Sequence, residues 1–327
     1  MHTGINETHL DFIHSRYGKN CNITPLQEEA SCRRYFHIST SKDKEEVVCI
    51  DETVNEDFIV LSQFLSENGI HVPKIFESNK NLGIICMSFE GKLDYSSYHL
   101  TEYQNHFTNL IELILKLQSL DPPGFVKTRK FDTEKLSFET NLTIEKFNAF
   151  KEIYKIKTSF SNEALAFIEE TVGYLNQYPI NVFTHRDFHC RNLLRSPNSD
   201  YVLIDYQDAR MGVPQYDLAS ILYDAYYPLP REFRMKMLKY FEERNIDQSK
   251  KFKDTFYLQA LQRSFKALGT YFRMVTDHKK DKFKPSIVSC LNQLEEIIQL
   301  GMFPDSLFIF VRSLREELIL HKDFKKL

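Results

Sequence analysis

The chain lacks several signatures that would assign its function directly. It has only ten glycines in 327 residues, with no GxxxxGK[ST] loop and no GxGxxG turn, which excludes a P-loop and a Rossmann dinucleotide site as those motifs are usually written. No run of about 18 apolar residues occurs, so no membrane span is expected. The first 20 residues lack a basic segment followed by an apolar one, and we expect no signal peptide.

Paired cysteines and an excess of one charge are also missing. The six cysteines include no CxxC pair, which favours reduced thiols in a cytoplasmic protein over disulfides or a zinc site. The 42 Lys and Arg residues nearly balance the 45 Asp and Glu residues, for a formal net charge of −3. A nucleic-acid partner is therefore not expected, because neutralising phosphates needs a concentrated basic surface.

The chain does have enough apolar side chains to form a large core. Hydrophobic residues make up 42% and aromatic residues 13%, which excludes intrinsic disorder, and the length suggests two domains or one two-lobed unit. The pattern changes at Glu90-Gly91-Lys92, from mixed strands and helix to mostly helices. We therefore predict an α+β protein with a small domain over 1–90 and a larger, mainly helical domain over 91–327.

The predicted elements follow from residue spacing. In the first domain, β-branched and apolar residues predict strands over 22–28, 34–39, 46–51, 72–77 and 82–89, with a turn at 29–32. Residues 56–68 have helical spacing. In the second domain a β-rich island covers 181–205, and the predicted helices span 100–120, 133–150, 161–178, 216–225, 232–244, 250–276, 285–300 and 305–320.

One segment contains the candidate catalytic residues. His185, Asp187 and Asn192 form an HxDxxxxN pattern, and Asp205 ends a strand thirteen residues after Asn192. Phosphoryl transfer from ATP needs a carboxylate that orients the attacking hydroxyl and accepts its proton, and two oxygen ligands for Mg²⁺. Asp187 suits the first role, and Asn192 and Asp205 suit the second. The alternative is that His185 and Asp187 are ordinary loop residues beside a buried hairpin.

This motif resembles the catalytic loop of the kinase superfamily, in particular that of the aminoglycoside phosphotransferase and choline kinase branch. The resemblance implies a bilobal protein-kinase-like fold, with a nucleotide-binding N-lobe over 1–90 and a C-lobe over 91–327 that carries the catalytic loop, the metal site and the substrate helices. It also implies that His185 supports the loop and that Asp217 caps it. His189 lies inside the loop, and we expect it to support the loop or to reach the substrate. The simpler alternative for Asp217 is that it stabilises the start of its own helix.

Three further segments narrow the resemblance. They read ASCRRYF over 30–36, DYQDARMG over 205–212 followed by YDLAS over 216–220, and LQRSFKALGTYFR over 261–273. Together they are similar to the anomeric N-acetylmuramate/N-acetylglucosamine kinases of bacterial cell-wall recycling, over about residues 22 to 290. The resemblance implies ATP- and Mg²⁺-dependent phosphorylation of the anomeric hydroxyl of an amino sugar, giving a sugar 1-phosphate.

The resemblance also suggests which residues bind the sugar, since sugar hydroxyls and a lactyl carboxylate need carboxylate and guanidinium partners. The candidates are Asp208, Arg210, Glu145, Arg263 and Arg273. Asp208 comes three residues after Asp205 and should therefore lie near the cleft. The arginines of the long helix have an alternative, a solvated face that they share with Lys266.

One position departs from ordinary kinases. The third N-lobe strand usually carries a Lys that pairs with the ATP phosphates, but residues 47–51 read VVCID, and the resembled sugar kinases also have an Asp there. Arg33 and Arg34 are the candidate replacements, because a guanidinium fork suits phosphate oxygens. Strand alternation allows only one of them to face the cleft. The alternative is two solvated arginines on an edge strand.

Adenine is expected at the backbone of the hinge, residues 87–91.

Two other functions stay open. The same chemistry could act on an aminoglycoside or a choline-like amine, although arginines near the predicted pocket argue against a cationic acceptor. The missing strand lysine would suit a nucleotide-binding pseudokinase, against which the intact Asp187, Asn192 and Asp205 count. The expected partners are therefore ATP and a small amino sugar, and the oligomeric state is left open.

Overall fold

The chain folds into two compact units. A computed structural model describes residues 5–26, 33–41, 44–196, 199–301 and 303–325. The smaller unit contains residues 1–94 and 193–207, and the larger unit contains residues 95–192 and 208–327. The first is built on a β-sheet and the second is mainly helical, so the predicted α+β class is confirmed.

The smaller unit is an antiparallel sheet with two helices. Its strands pair in the order β1-β2-β3-β5-β4. The predicted strands and the predicted helix are confirmed to within a few residues, whereas α1 was not predicted and the turn at 29–32 lies outside the described residues. In chain order the elements are α1 (Glu7–Tyr17), β1 (Asn22–Pro25), β2 (Arg34–Ser39), β3 (Glu45–Ile50), α2 (Glu56–Glu67), β4 (Ile75–Asn79) and β5 (Ile84–Ser88).

Alternation along the strands builds the core of this unit. Phe36 and Ile38 of β2 and Val48 and Ile50 of β3 face the same side of the sheet, where they pack with Ile13 of α1. All five side chains are buried. The residues of β2 at odd positions, such as Tyr35, therefore lie on the opposite side of the sheet.

Two local features fix how β3, α2 and β5 meet. Asn55 caps α2 by accepting a hydrogen bond from the backbone N of Phe58 at 3.2 Å. Gly83 has φ of +63°, and a Cβ there would lie 2.0 Å from the carbonyl oxygen of Asp51. Only glycine fits this close approach, and the backbone N of Asp51 donates to the Gly83 carbonyl at 2.9 Å.

After the smaller unit's first segment the chain becomes helical. The breaker at 121–124 separates the first two long helices, as expected. The elements that follow are α3 (Leu100–Ser119), α4 (Gly124–Thr128), α5 (Thr133–Tyr154), α6 (Asn162–Asn176) and the short strand β6 (Val182–Thr184).

Residues 193–207 then return the chain to the smaller unit. They form a hairpin of β7 (Leu193–Ser196) and β8 (Ser199–Leu203). The backbone N of Leu203 donates to the carbonyl of His71 at 2.9 Å, and that of Arg195 to the carbonyl of Leu93 at 2.8 Å. The sequence prediction placed a single boundary between residues 90 and 91, which put this hairpin in the larger domain. The hydrogen bonds place it instead in the smaller unit.

The rest of the chain completes the larger unit around one long helix, α9. This helix packs against α5, α6, α7 and α10 and is buried over most of its length. The predicted helices are confirmed, and the three-residue strand β9 was not predicted. The elements are β9 (Arg210–Gly212), α7 (Tyr216–Leu222), α8 (Arg231–Glu242), α9 (Phe252–Thr276), α10 (Lys284–Leu300) and α11 (Asp305–Leu320).

Helices α5 and α9 approach each other closely at one glycine. A Cβ on Gly269 would lie 2.3 Å from Oγ1 and 2.8 Å from Cα of Thr143. The Thr143 hydroxyl also hydrogen-bonds the carbonyl of Phe265 at 3.2 Å. Among the described residues, no helix combines the length and the apolar character needed to cross a lipid bilayer.

Candidate active site

The HxDxxxxN loop follows β6, and a buried carboxylate holds its backbone. Asp217, in the first turn of α7, accepts hydrogen bonds from the backbone N of His185 at 2.7 Å and of Arg186 at 3.0 Å. Arg186 has φ of +82°, so the chain turns sharply just before Asp187. Burial raises the pKa of Asp217 to about 7, although both N–H groups favour its ionised form. The expected capping of the loop by Asp217 is thus confirmed.

Cations from α9 hold one oxygen of Asp187. Oδ1 accepts hydrogen bonds from Lys266 Nζ at 2.8 Å and from Arg263 Nη2 at 3.2 Å. Arg186 Nε lies 3.9 Å from Oδ2, and no described residue of the larger unit donates a hydrogen bond to Oδ2. The side chain of Asp187 is 25% exposed, against 12% for Lys266 and 9% for Arg263. Oδ2 is therefore the oxygen that suits a hydroxyl donor.

These cations set the charge state of Asp187. Burial opposes its ionisation, but the charges of Lys266, Arg186 and Arg263 hold the pKa of Asp187 well below its usual range. Burial also lowers the pKa of Lys266 to about 8, against the attraction of Asp187. At neutral pH the site therefore presents a carboxylate of low basicity, which can orient a hydroxyl by accepting its hydrogen bond.

A second carboxylate, missed by the sequence prediction, balances the cations. Glu139 of α5 is buried, and it accepts hydrogen bonds from Arg186 Nη2 at 3.4 Å and Gln262 Nε2 at 3.2 Å. Lys135 Nζ lies 3.4 Å from the same carboxylate. Burial opposes the ionisation of Glu139, but the surrounding cations lower its pKa. One signal could have revealed it: Glu139 is three residues from Leu136, on the buried stripe of its helix.

Asn192 ends the loop with its amide nitrogen bonded to the preceding backbone. Its Nδ2 donates to the Asp187 carbonyl at 2.9 Å, and its backbone N donates to the His189 carbonyl at 2.9 Å. The amide atom that suits a cation is then the oxygen. His189 lies edge-on to Tyr226 at 5.4 Å, and His185 is 1% exposed beside Phe188. His185 thus packs within the loop and His189 packs against a residue that follows α7, and their supporting role stays a prediction.

The smaller unit holds the other predicted metal ligand, with a cation near it. Asp205 follows β8 with φ of +63°, and its Oδ1 accepts a hydrogen bond from Gln207 Nε2 at 2.7 Å. Arg33 Nε donates to Asp51 Oδ2 at 3.0 Å. Burial alone would lower the pKa of Arg33, but Tyr35, Asp51 and Asp205 raise it. Arg33 is therefore a permanent cation within electrostatic range of Asp205.

The two candidate phosphate-binding arginines face different ways. Arg33 lines a small cavity with Tyr35, whereas Arg34 lines a separate surface cleft of about 450 Å³ with Asn6 and Thr8. This separation follows from strand alternation. The alternative of an edge strand is wrong, because β2 lies between β1 and β3, and the Arg33 side chain is 20% exposed. Arg33 is the better candidate for the phosphates.

Two of the predicted acceptor-binding residues lie at the Asp187 site. Arg263 contacts Asp187 directly. Asp208 forms an ion pair with Arg186, in which Oδ2 lies 3.3 Å from Nη1. The alternative that Arg263 and Lys266 form a solvated face is wrong, because both side chains are mostly buried. Lys266 itself was not predicted as a site residue, since a lysine on a helix is usually exposed.

The other three predicted acceptor-binding residues do not contact Asp187 in the described part of the larger unit. Arg210 Nη1 donates to the Lys130 carbonyl at 3.3 Å. Glu145 is 66% exposed and pairs with Lys146 at 3.0 Å. Arg273 is ten residues beyond Arg263 on α9, a distance of about 15 Å along the helix. Their binding role stays a prediction.

Comparison with known proteins identifies relatives along most of the chain. A family model described as "Phosphotransferase enzyme family" matches residues 22–252. An N-acetylmuramate/N-acetylglucosamine kinase from Neisseria meningitidis is 28% identical over 297 residues, covering 85% of this chain and 86% of that protein. A kinase of the same name from Pseudomonas aeruginosa is 25% identical over 291 residues, covering 84% and 83%.

Solved structures show the same fold at lower identity. The crystal structure of spectinomycin phosphotransferase in complex with ADP and spectinomycin matches with a TM-score of 0.62 at 14% identity, covering 93% of this chain and 99% of that chain. The predicted protein-kinase-like fold is confirmed by this likeness.

Proposed function

The chain belongs to the phosphotransferase enzyme family, and from that premise we propose that it phosphorylates the anomeric hydroxyl of an amino sugar. Its family makes it an ATP-dependent phosphotransferase with a hydroxyl as acceptor. The proposed acceptor is N-acetylmuramate or N-acetylglucosamine, because two relatives carry this pair in their names. The product would be a sugar 1-phosphate, formed in the cytoplasm where ATP is supplied.

The arrangement of Asp187 carries this proposal. Lys266 and Arg263 occupy its Oδ1, so Oδ2 would accept the hydrogen bond of the acceptor hydroxyl. During transfer the acceptor oxygen forms a bond to the γ-phosphorus, the bond from that phosphorus to the bridging oxygen breaks, and its electron pair leaves with ADP. The hydroxyl proton passes to Asp187 Oδ2 and then to solvent.

The low basicity of Asp187 favours an acidic acceptor. Because its pKa is held well below its usual range, it suits a hydroxyl that gives up its proton readily, and an anomeric hydroxyl is more acidic than an ordinary alcohol. The cations around Asp187, namely Lys266, Arg263 and Arg186, also disfavour a positively charged acceptor such as an aminoglycoside or choline.

The donor set suits a divalent cation on the nucleotide. Asn192 offers an amide oxygen and Asp205 a carboxylate, and Mg²⁺ prefers such hard oxygen ligands. The amide nitrogen of Asn192 is bonded to the Asp187 carbonyl, which leaves the oxygen as the donor that fits. We therefore propose that these two residues hold Mg²⁺, which when bound would neutralise phosphate charge, and that Arg33 binds phosphate oxygens.

Turnover of an acceptor panel tests the proposal. The enzyme is assayed with ATP and Mg²⁺ on N-acetylmuramate, N-acetylglucosamine, their 1-O-methyl glycosides, an aminoglycoside and choline. Products are identified by mass and phosphorus NMR. We expect a phosphate on C1 of the two sugars and no product from the glycosides, because these lack the anomeric hydroxyl.

Asp187→Asn is the matching active-site variant. It should lower kcat by about 10²–10⁴-fold, the range for loss of a general base. Asp254→Asn, at an exposed position in the first turn of α9, is its control and should keep wild-type turnover. Phosphorylation of the methyl glycosides would contradict the anomeric assignment. ATP binding without turnover of any acceptor would instead indicate a pseudokinase.

A further inference from the structure

We propose that Lys266 is a positioning residue for phosphoryl transfer, because it holds Oδ1 of Asp187 and so directs Oδ2 to the acceptor hydroxyl. The inference rests on the proposed function in one respect, that Asp187 is the carboxylate that orients the acceptor. Lys266 would thus act through Asp187 and not by direct contact with the acceptor.

The geometry on Oδ1 supports this role. Lys266 Nζ lies 2.8 Å and Arg263 Nη2 lies 3.2 Å from the same oxygen. The two donors are three residues apart on α9, and residues at this spacing share one face of a helix. Charge-assisted hydrogen bonds of this kind are short and strong. Two of them on one oxygen restrict rotation of the carboxylate about its Cβ–Cγ bond, which leaves Oδ2 in a defined position.

The helix that carries Lys266 is itself held close to α5. Thr143 of α5 hydrogen-bonds the carbonyl of Phe265, the residue before Lys266. One turn further on, Gly269 allows the two backbones to meet. A positioning residue needs such support, because a site loosened by even about 1 Å loses its productive geometry.

The charge of Lys266 depends on the groups around it. Asp187 and Arg186 face it from the catalytic loop, Glu139 from α5, and Arg263 from α9 itself. With its pKa lowered to about 8 by burial, Lys266 is protonated at neutral pH and loses its proton as the pH rises through that value. Its hydrogen bond from a charged donor to Asp187 weakens in the same range. Arginine at this position would stay protonated.

Three variants test the role by steady-state kinetics on whichever acceptor the wild-type enzyme phosphorylates. Lys266→Gln should lower kcat roughly 10–100-fold through loss of a charged hydrogen bond, with little change in KM for ATP. Lys266→Arg should restore most of kcat and move the alkaline decline of the pH profile to higher pH. Lys253→Gln, at a position 62% exposed on the same helix, should match the wild type.

A second measurement needs no acceptor. Crystal structures of the wild type, Lys266→Gln and Lys266→Arg compare the orientation of the Asp187 carboxylate. It should turn away or lose a single orientation in Lys266→Gln, because one of the two donors on Oδ1 is gone, and it should keep its orientation in Lys266→Arg. If the wild type phosphorylates no sugar, the proposed function fails while these structures still test Lys266.

Two results would overturn the inference. One is wild-type kcat and an unchanged orientation of the Asp187 carboxylate in Lys266→Gln. The other is an equal loss of kcat in Lys266→Gln and Lys266→Arg with no movement of the pH profile and no change in that orientation, which would indicate a purely structural role. Thermal unfolding of each variant confirms that it is folded when assayed.

Discussion

Gly269→Ala should destabilise the protein by about 2 kcal/mol. The added methyl group would lie 2.8 Å from Thr143 Cα, whereas ordinary contacts begin near 3.4 Å, so α5 and α9 must separate by roughly the 0.6 Å difference. Overpacking a core costs about 1–3 kcal/mol, and the upper end applies because Thr143 Cα belongs to the backbone. Alanine offsets about 1 kcal/mol of this through its higher helix propensity.

Urea unfolding followed by circular dichroism measures this change. Gly173→Ala is the matched control, since Gly173 also lies in a helix, α6, but a Cβ there meets nothing within 4 Å. That variant should be stabilised by up to about 1 kcal/mol, so the two substitutions should have opposite signs. If Gly269→Ala is at least as stable as the wild type while Gly173→Ala behaves as expected, the close packing of α5 and α9 is refuted.

Two further predictions concern the smaller unit. Arg33→Gln should raise KM for ATP about tenfold or more, as loss of a charged hydrogen bond implies, and Arg34→Gln should not; equal effects in ATP kinetics would contradict the assignment. Glu46 is buried, which opposes its ionisation, but Lys44 and Tyr17 hydrogen-bond it and its pKa is lowered. Its stabilisation is therefore present above the ordinary pKa of a glutamate and lost as the pH falls through the lowered value. Urea unfolding at several acidic pH values should show a smaller loss of stability in Glu46→Gln than in the wild type, and parallel losses would refute this.

The helices of the larger unit were predictable because their apolar spacing is strong. Helix α11 begins and ends where the spacing predicts, and α9 begins within two residues of the prediction. Helix α1 was missed for the opposite reason. Leu10, Ile13 and Tyr17 pack against the core at helical spacing, but only Ile13 is fully buried, so the apolar stripe of this helix is short and gives a weak signal in the sequence.

Pairings between distant segments could not be predicted from the sequence. Strands β6 and β9 have three residues each, and they pair across a catalytic loop and a hairpin. The assignment of residues 193–207 depends on hydrogen bonds to His71 and Leu93, which are more than a hundred residues away from their partners in the sequence. The conformational propensities of a segment do not indicate which distant residues it will pair with.

The difference between local spacing and long-range packing also decides which residues of the candidate site could be predicted. Asp187, Asn192 and Asp205 were found because a loop fixes their spacing in the chain. Lys266 and Glu139 come from two separate helices, and each residue type is usually exposed. Their meeting at the catalytic loop depends on how α5 and α9 pack, which no spacing within one segment encodes.

The smaller unit is formed by two segments that are far apart in the order of synthesis. Residues up to 94 emerge from the ribosome first, and the 98 residues from 95 to 192 must follow before the hairpin of 193–207 appears. Contacts between such distant segments form slowly, because a long loop must close before they are gained. Arg33 is therefore made long before Asp205, which lies in the later segment. A nascent chain that ends before residue 207 lacks part of the smaller unit, so the proposed ligands of phosphate and Mg²⁺ in this unit cannot come together before that point.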